Sequence, residues 1–163
     1  MSKYAATTGV DVDRSKREIE RTLERYGADQ FMYGWDQTGA VIGFRAHQRF
    51  IRITLPLPAR ESPEFAMTPT GRMRRSESAT VEAWEQEVRR RWRALALVIK
   101  AKLEAVQSGI SSFEDEFLAQ TVLPNRRTVA ECFQPQIDQA YETGDMPKGI
   151  LSAVAGPDGQ GEQ

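Results

Sequence analysis

Apolar and polar residues first repeat along the chain with the period of a helix. Apolar positions at steps of three and four predict a helix over about 14–26. Ser15 and Glu18 form a capping-box pattern at its start, and Gly27 stands where a helix-terminating glycine belongs. Residues 1–12 are short, β-branched and polar, so we expect an edge strand or an arm there.

The period then changes to two, which is typical of strands with one buried face. Two turns divide this part of the chain, one at 36–39 and one at 47–48. Pro56 ends the last run. The pattern predicts a three-stranded antiparallel meander, whose strands occupy 31–35, 40–46 and 50–55.

A long helical pattern begins near Thr80 and ends at Gly109. One apolar stripe comprises Val81, Trp84, Val88, Trp92, Leu95, Ile99, Leu103 and Val106. A second stripe comprises Ala94, Leu97, Val98 and Ala101. We therefore expect this helix to be buried on both sides and to form the spine of the fold, with the sheet packed on its first stripe.

The C-terminal part predicts short helices. An acidic helix is expected over 113–120. Thr128 and Glu131 form a second capping box, and the helix that follows runs to Gly144. Pro135 is expected to interrupt or restart it.

Together these elements predict an α+β fold: an N-terminal helix, a three-stranded antiparallel meander, a long central helix and short C-terminal helices. We expect a single domain over 1–155. Within it, 56–79 is rich in proline, serine and arginine and predicts a long, flexible, basic loop. Residues 156–163 predict a disordered tail.

The composition limits the kinds of functional site that the chain can form. The chain has 163 residues and a formal net charge of −1, so any nucleic-acid site must come from local clustering of charge. Cys132 is the single cysteine and His47 the single histidine, which excludes an intrachain disulfide and disfavours a zinc site. The absence of a signal sequence or of a long apolar run predicts a cytoplasmic protein without membrane contact. We expect no cofactor and no metal.

Arginines form the main candidate site. Guanidinium groups bind phosphates bidentately, so a cluster could hold a nucleic-acid backbone or an acidic partner. The candidates in the loop and long helix are Arg72, Arg74, Arg75, Arg90 and Arg93. The alternative interpretation is a salt-bridged face, because Arg89 and Arg91 follow Glu85 and Glu87 at i, i+4. Arg90 and Arg93 have no such acidic partner, which favours binding at these two.

Basic and aromatic residues also alternate in the predicted sheet, a combination that suits single-stranded nucleic acid. Phe50 shares a strand face with Arg52 and is expected on the exposed side. Phe44 and Trp35 are alternatively core residues. The candidates on the sheet are Arg45, Arg49, Phe50 and Arg52.

Several phrases resemble a group of small phage and prophage proteins. They are KYAATT, RYGADQFMYGW, WRALALVIKAKLEAVQSGISSFEDEFLAQTVLPNRRTV and AYETGDMP, which together extend over most of residues 3–150. The resemblance brings no activity and no site residues with it. It implies a phage or mobile-element setting in a bacterial cell, where DNA transactions and inhibition of host proteins are common tasks of small proteins.

Three functions follow as hypotheses. The first is a phage-associated, non-enzymatic nucleic-acid-binding accessory protein that uses the arginine-rich loop and helix. The second is a protein-interaction module or an inhibitor of a host or defence protein, which could self-associate through the long helix. The third is an enzyme with a dispersed site, which a deep pocket lined by Glu114, Asp138 or His47 would support; the sequence has no catalytic motif, and we expect no enzyme.

Overall fold

The computed structural model of the chain describes residues 3–35, 39–68 and 70–145, with side chains from residue 12 onward. It confirms the α+β class. The elements are α1 (Lys3–Arg25), β1 (Gln30–Trp35), β2 (Gly39–Ala46), β3 (Arg49–Pro56), α2 (Pro63–Ala66), α3 (Glu77–Gln107), α4 (Phe113–Phe117) and α5 (Val129–Thr143). The chain divides into two compact units, residues 1–117 and 118–163. The single domain over 1–155 stays a prediction, and the tail at 156–163 lies outside the described residues.

Helix α1 is longer than the sequence pattern predicts. It begins at Lys3, so the strand or arm expected over 1–12 is wrong from residue 3 onward. Ser15 and Glu18 lie inside the helix and do not start it. A spacing of three residues suits a helix interior as well as a cap, and unfavourable residues such as Gly9 cost only about 1 kcal/mol each.

The sheet confirms the predicted meander, with strand order β1-β2-β3 and antiparallel pairing throughout. Ala46 pairs with Arg49 across the two-residue turn His47-Gln48. Both turn residues have positive φ, 50° and 60°, as a type I′ hairpin turn requires. The other predicted turn falls mostly on residues 36–38, outside the described residues.

Helix α3 starts one turn earlier than expected. Ser76 is its N-cap, and its side chain accepts a hydrogen bond from the Ala79 amide. The predicted cap at Thr80 is therefore wrong; the Thr80 hydroxyl instead donates to the Ser76 carbonyl. Gly109, with φ of 71°, follows the end of the helix as predicted.

Only one side of α3 is buried. Val88, Trp92, Leu95, Ile99 and Leu103 from the first predicted stripe lie in the core. The second stripe is exposed, which corrects the expectation of a helix buried on both sides. Within that stripe, Leu97 is 58% exposed and Val98 is 50% exposed, while Ala94 and Ala101 are also exposed.

The core of the first unit joins α1, α3, α4 and one face of the sheet in a single apolar cluster. Helix α1 contributes Ile19 and Leu23, and it packs against α3. Ile51 and Leu55 of β3 belong to the same cluster as Trp92, so the predicted packing of the sheet on the first stripe is confirmed. The two long helices therefore lie side by side, and a groove runs between their solvent-facing sides.

The segment 57–76 has local structure that was not predicted. It contains α2 and an isolated antiparallel bridge between Met67 and Arg74. Phe65 of α2 is buried. The Arg75 guanidinium donates to the Phe65 carbonyl oxygen at 3.2 Å, which joins the two halves of this segment, and α2 packs against α3.

The second unit, as far as it is described, consists of a 3₁₀ turn (Leu118–Gln120) and α5. The predicted capping box is present, since Thr128 and Glu131 each bond the other's backbone amide. Pro135 lies inside α5 without interrupting it. Proline cannot donate to the Glu131 carbonyl, and the Arg127 guanidinium donates there instead.

Candidate functional site

A stripe of four arginines runs along α1. Arg14, Arg17, Arg21 and Arg25 recur at steps of three, four and four, so they share one side of the helix. All four are exposed. The buried side of α1, with Ile19 and Leu23, points into the core and holds this stripe outward.

The stripe borders the groove between α1 and α3, which we call the α1–α3 groove. It consists of two adjoining cavities, of about 560 Å³ and about 620 Å³. Arg14 and Glu18 line both. The first cavity also reaches Tyr26 and Lys100, and the second reaches Leu97. The cationic residues that line the groove are Arg14, Arg17, Arg21, Arg25, Arg89, Arg90, Arg93 and Lys100.

The groove concentrates positive charge in a chain whose formal net charge is −1. Eight cationic side chains line it, against the single carboxylate of Glu18. Neighbouring carboxylates neutralise part of this charge. Glu85 does so, since it lies 3.9 Å from Arg89. Glu104 instead accepts a hydrogen bond of 2.7 Å from the neutral hydroxyl of Tyr26. That bond raises the pKa of Tyr26.

Glu87 holds two arginines at once. Its carboxylate accepts two hydrogen bonds from Arg90, both 2.7 Å, and one of 2.8 Å from Arg91. Arg91 also donates to the Pro56 carbonyl oxygen at 2.6 Å. The bonds from Arg90 and Arg91 lower the pKa of Glu87 to about 2. The sequence prediction that Arg90 has no acidic partner is therefore wrong, because the i, i+3 spacing from Glu87 serves it.

The structure places the other predicted arginines of the helix and loop in different surroundings. Arg93 is exposed and lines the groove, together with Arg90. Arg72 and Arg74 are exposed but do not line it, and Arg75 binds the Phe65 carbonyl. The loop and the helix arginines therefore do not form one surface around the groove.

The residues of the predicted sheet site also do not lie together on one face. Arg45 forms a bidentate salt bridge with Asp29, with bonds of 2.7–3.1 Å, which lowers the pKa of Asp29. The register places Arg45, Phe50 and Arg52 on the outward face, but Arg49 on the opposite one.

The aromatic residues of the sheet differ in their environment. Phe50 is half-buried, with its ring against the position that a Cβ of Gly43 would take. Phe44 is fully buried, so its alternative reading as core is correct. Trp35 is 78% exposed, so the same reading is wrong there.

The sequence contained a signal for the groove that was missed. The spacing of the α1 arginines already places them on one helix side. The spacing does not show which other element lies next to this side of α1. Only the packing of α1 on α3 brings Arg21 near Lys100 and Arg14 near Arg93 along one groove.

Among the residues that the structure describes, no group of three or more His, Cys, Asp or Glu side chains is arranged to hold a metal ion. His47 stacks on Phe113, with ring centroids 4.6 Å apart, and Cys132 lies in α5. In the same described residues, no helix is long and apolar enough to cross a bilayer. No protein-family model, curated protein or solved structure matches this chain.

Proposed function

We propose that the chain binds a nucleic acid by its phosphate backbone, through the α1–α3 groove. The observation that carries the proposal is the eight-to-one ratio of cationic to carboxylate side chains along the groove. A protein of net charge −1 gains nothing from a global field, so a local concentration of this kind is what attracts a polyanion. Binding would be driven by release of counterions from the phosphates.

The length of the cluster favours a polymer over a single phosphate. From Arg14 to Arg25 the helix advances by about 16 Å. Successive phosphates of one DNA strand advance by roughly 3.4 Å along the duplex axis, so about five would lie beside this stripe. Arginine suits the task, because each guanidinium can donate two parallel hydrogen bonds to one phosphate.

This proposal changes the site predicted from the sequence. Arg90 and Arg93 remain in it, as the α3 wall of the groove. The α1 stripe replaces Arg72, Arg74 and Arg75 as the larger part. The phage setting and the absence of an enzymatic activity stay predictions, and neither is needed for the binding proposed.

The test compares two triple variants with equal changes in charge. Arg17→Gln/Arg21→Gln/Lys100→Gln removes three cations from the groove. The matched control, Arg49→Gln/Arg72→Gln/Arg74→Gln, removes three exposed cations that do not line it. Binding of labelled single-stranded and duplex DNA and of RNA is measured by fluorescence anisotropy over a salt series, after circular dichroism has shown that each variant is folded.

We expect the groove variant to bind more weakly and its plot of log K against log[salt] to be shallower by about two to three. The control variant should keep the wild-type slope. Equal losses in both variants would mean that only overall charge matters. Absence of binding by folded wild-type protein at low salt would remove the proposal.

The exposed apolar stripe on α3 supports a second candidate, a protein-interaction module. Leu97 and Val98 are at least half exposed and stand beside Ala94 and Ala101, so a partner helix could approach closely. Self-association through this stripe predicts a dimer mass in light scattering and a monomer mass for Leu97→Asp. A wild-type monomer at high concentration would exclude self-association.

A further inference from the structure

All three tryptophans of the chain line one cavity, of about 760 Å³. We call it the tryptophan cavity. It lies among β1, the segment after β3, α1 and α3, and it shares no lining residue with the α1–α3 groove. Its volume falls within the range of small-molecule sites, roughly 300–1,000 Å³. The residues used below are Lys16, Tyr33, Trp35, Arg60, Trp84 and Trp92.

The outer wall of the tryptophan cavity carries two exposed aromatic side chains. Tyr33 and Trp35 are two residues apart in the edge strand β1, so they lie on the same face of it, where they are 50% and 78% exposed. Trp92, on the inner wall, is buried. Large aromatic side chains bind by stacking on flat rings, and Trp35 has most of its surface available for such a partner.

Lys16 gives the tryptophan cavity a cation held among rings. Its Nζ lies 4.3 Å from the centroid of Tyr33 and 5.2 Å from that of Trp92. Its side chain is only 20% exposed, and it forms an ion pair with the Asp13 carboxylate, one turn earlier on the same helix, at 3.8 Å. The Asp13 side chain is 61% exposed, so solvent weakens this pair. The ammonium group already occupies the position in which an aromatic cage would hold a cationic ligand, so a second cation is disfavoured and an anion is favoured.

A proline-rich peptide fits the tryptophan cavity less well. Such peptides have fully solvated backbones, so a binding groove must supply hydrogen-bond donors to the carbonyl groups that it covers. The Trp84 indole N–H already donates to the chain's own Pro58 carbonyl oxygen at 2.8 Å. Lys16 and Arg60 add two positive charges to the lining, which an anionic group can engage and an uncharged oligoproline cannot. A flat ring that carries an anionic group therefore matches both the aromatic and the charged parts of the cavity.

We propose that the tryptophan cavity binds a nucleotide. The base stacks on Trp35, and the phosphate lies against Arg60 and against Lys16, whose ammonium group lies over the Tyr33 ring. Glu61 at the rim can accept a hydrogen bond from an amino group of the base or a sugar hydroxyl. This inference goes beyond the proposed function, because a nucleotide could bind here even if the groove binds nothing.

The experiment titrates the full chain with adenosine monophosphate, with adenosine and with inorganic phosphate, using calorimetry and tryptophan fluorescence. We expect the monophosphate to bind more tightly than adenosine, and adenosine more tightly than phosphate. Trp35→Leu should weaken binding of both ring-containing probes by about 5- to 100-fold, the usual effect of losing one stacking side chain. Lys16→Met should weaken only the monophosphate, to the level of adenosine.

Met32→Leu is the matched control, because Met32 is 60% exposed on the opposite face of the same strand. It should bind all three probes like the wild type. Undetectable binding of the monophosphate at millimolar concentration by folded wild-type protein would overturn the proposal. So would a Trp35→Leu variant with unchanged affinity, or binding of oligoproline in place of the monophosphate. The triple groove variant should keep the affinity for the monophosphate, so the two proposals can fail separately.

Discussion

Replacing Glu87 by glutamine tests the electrostatics of α3 at the wall of the groove. The native carboxylate accepts hydrogen bonds from both Arg90 and Arg91, and Arg91 links this cluster to the Pro56 carbonyl. Glutamine keeps the shape but removes the charge. We expect the variant to be less stable than the wild type by about 1–2 kcal/mol at neutral pH.

The magnitude follows from the pKa of Glu87, which falls from 4.5 to about 2 in the folded protein. Such a difference corresponds to at most about 3 kcal/mol. The side chain of Glu87 is 20% exposed, but that of Arg90 is 71% exposed, so solvent screens the larger share of the interaction. This screening reduces the expected effect to roughly half of the upper limit.

The direction of the pKa shift of Glu87 determines the pH range in which its carboxylate stabilises the fold. Because the folded-state pKa is depressed, the stabilisation is complete above about pH 4.5 and is lost as pH falls toward about 2. Urea unfolding of wild type and Glu87→Gln should therefore differ most at about pH 7, and the difference should shrink at about pH 3.5. Glu82→Gln, an exposed carboxylate of the same helix, should stay within about 0.5 kcal/mol of wild type.

Equal stabilities of wild type and Glu87→Gln at neutral pH, or a difference that does not shrink in acid, would mean that the Glu87 carboxylate does not stabilise the fold through its arginines. The same variant also bears on function. Removing the carboxylate releases Arg90 at the groove, so the affinity for a polyanion at low salt should rise while stability falls. Loss of both together would indicate that Glu87 positions Arg90 for binding.

Two further substitutions test the fold. Ile99→Ala should destabilise the chain by about 2–5 kcal/mol, because Ile99 is fully buried. Val98→Ala should cost under about 1 kcal/mol, because Val98 is half exposed. Similar urea midpoints for the two variants would contradict the one-sided burial of α3. Ser76→Ala should cost about 1 kcal/mol as the loss of an N-cap, measured by thermal unfolding, and an unchanged midpoint would place the start of α3 elsewhere.

Local patterns in the sequence were sufficient for the sheet. Strict alternation and the close turn at His47-Gln48 determine which residues face the core, because a register shift of one residue would expose Ile51 and bury Arg52. The capping box at Thr128 was likewise readable, since both of its partners lie within three residues. These features depend only on neighbours in the chain.

Features that depend on tertiary packing could not be read in this way. The pattern around Val98 shows an apolar helix side, but not whether another element covers it. The capping-box pattern at Ser15 looks the same inside a helix as at its start. The groove needs two helices that are more than 50 residues apart in the chain to become neighbours, and no local spacing in α1 or α3 predicts that contact.

The salt dependence of nucleic-acid binding by the wild-type chain shows whether the α1–α3 groove holds phosphates. Of the eight cationic side chains that line the groove, Arg89 pairs with Glu85 and Arg90 pairs with Glu87. About four to six cations are then left for phosphates. Anisotropy of a labelled strand of about 20 nucleotides, from about 50 to about 200 mM salt, should therefore give log K falling with log[salt] at a slope of about −3 to −5. A slope near zero, or no binding at the lowest salt by folded protein, would mean that the groove does not bind phosphates.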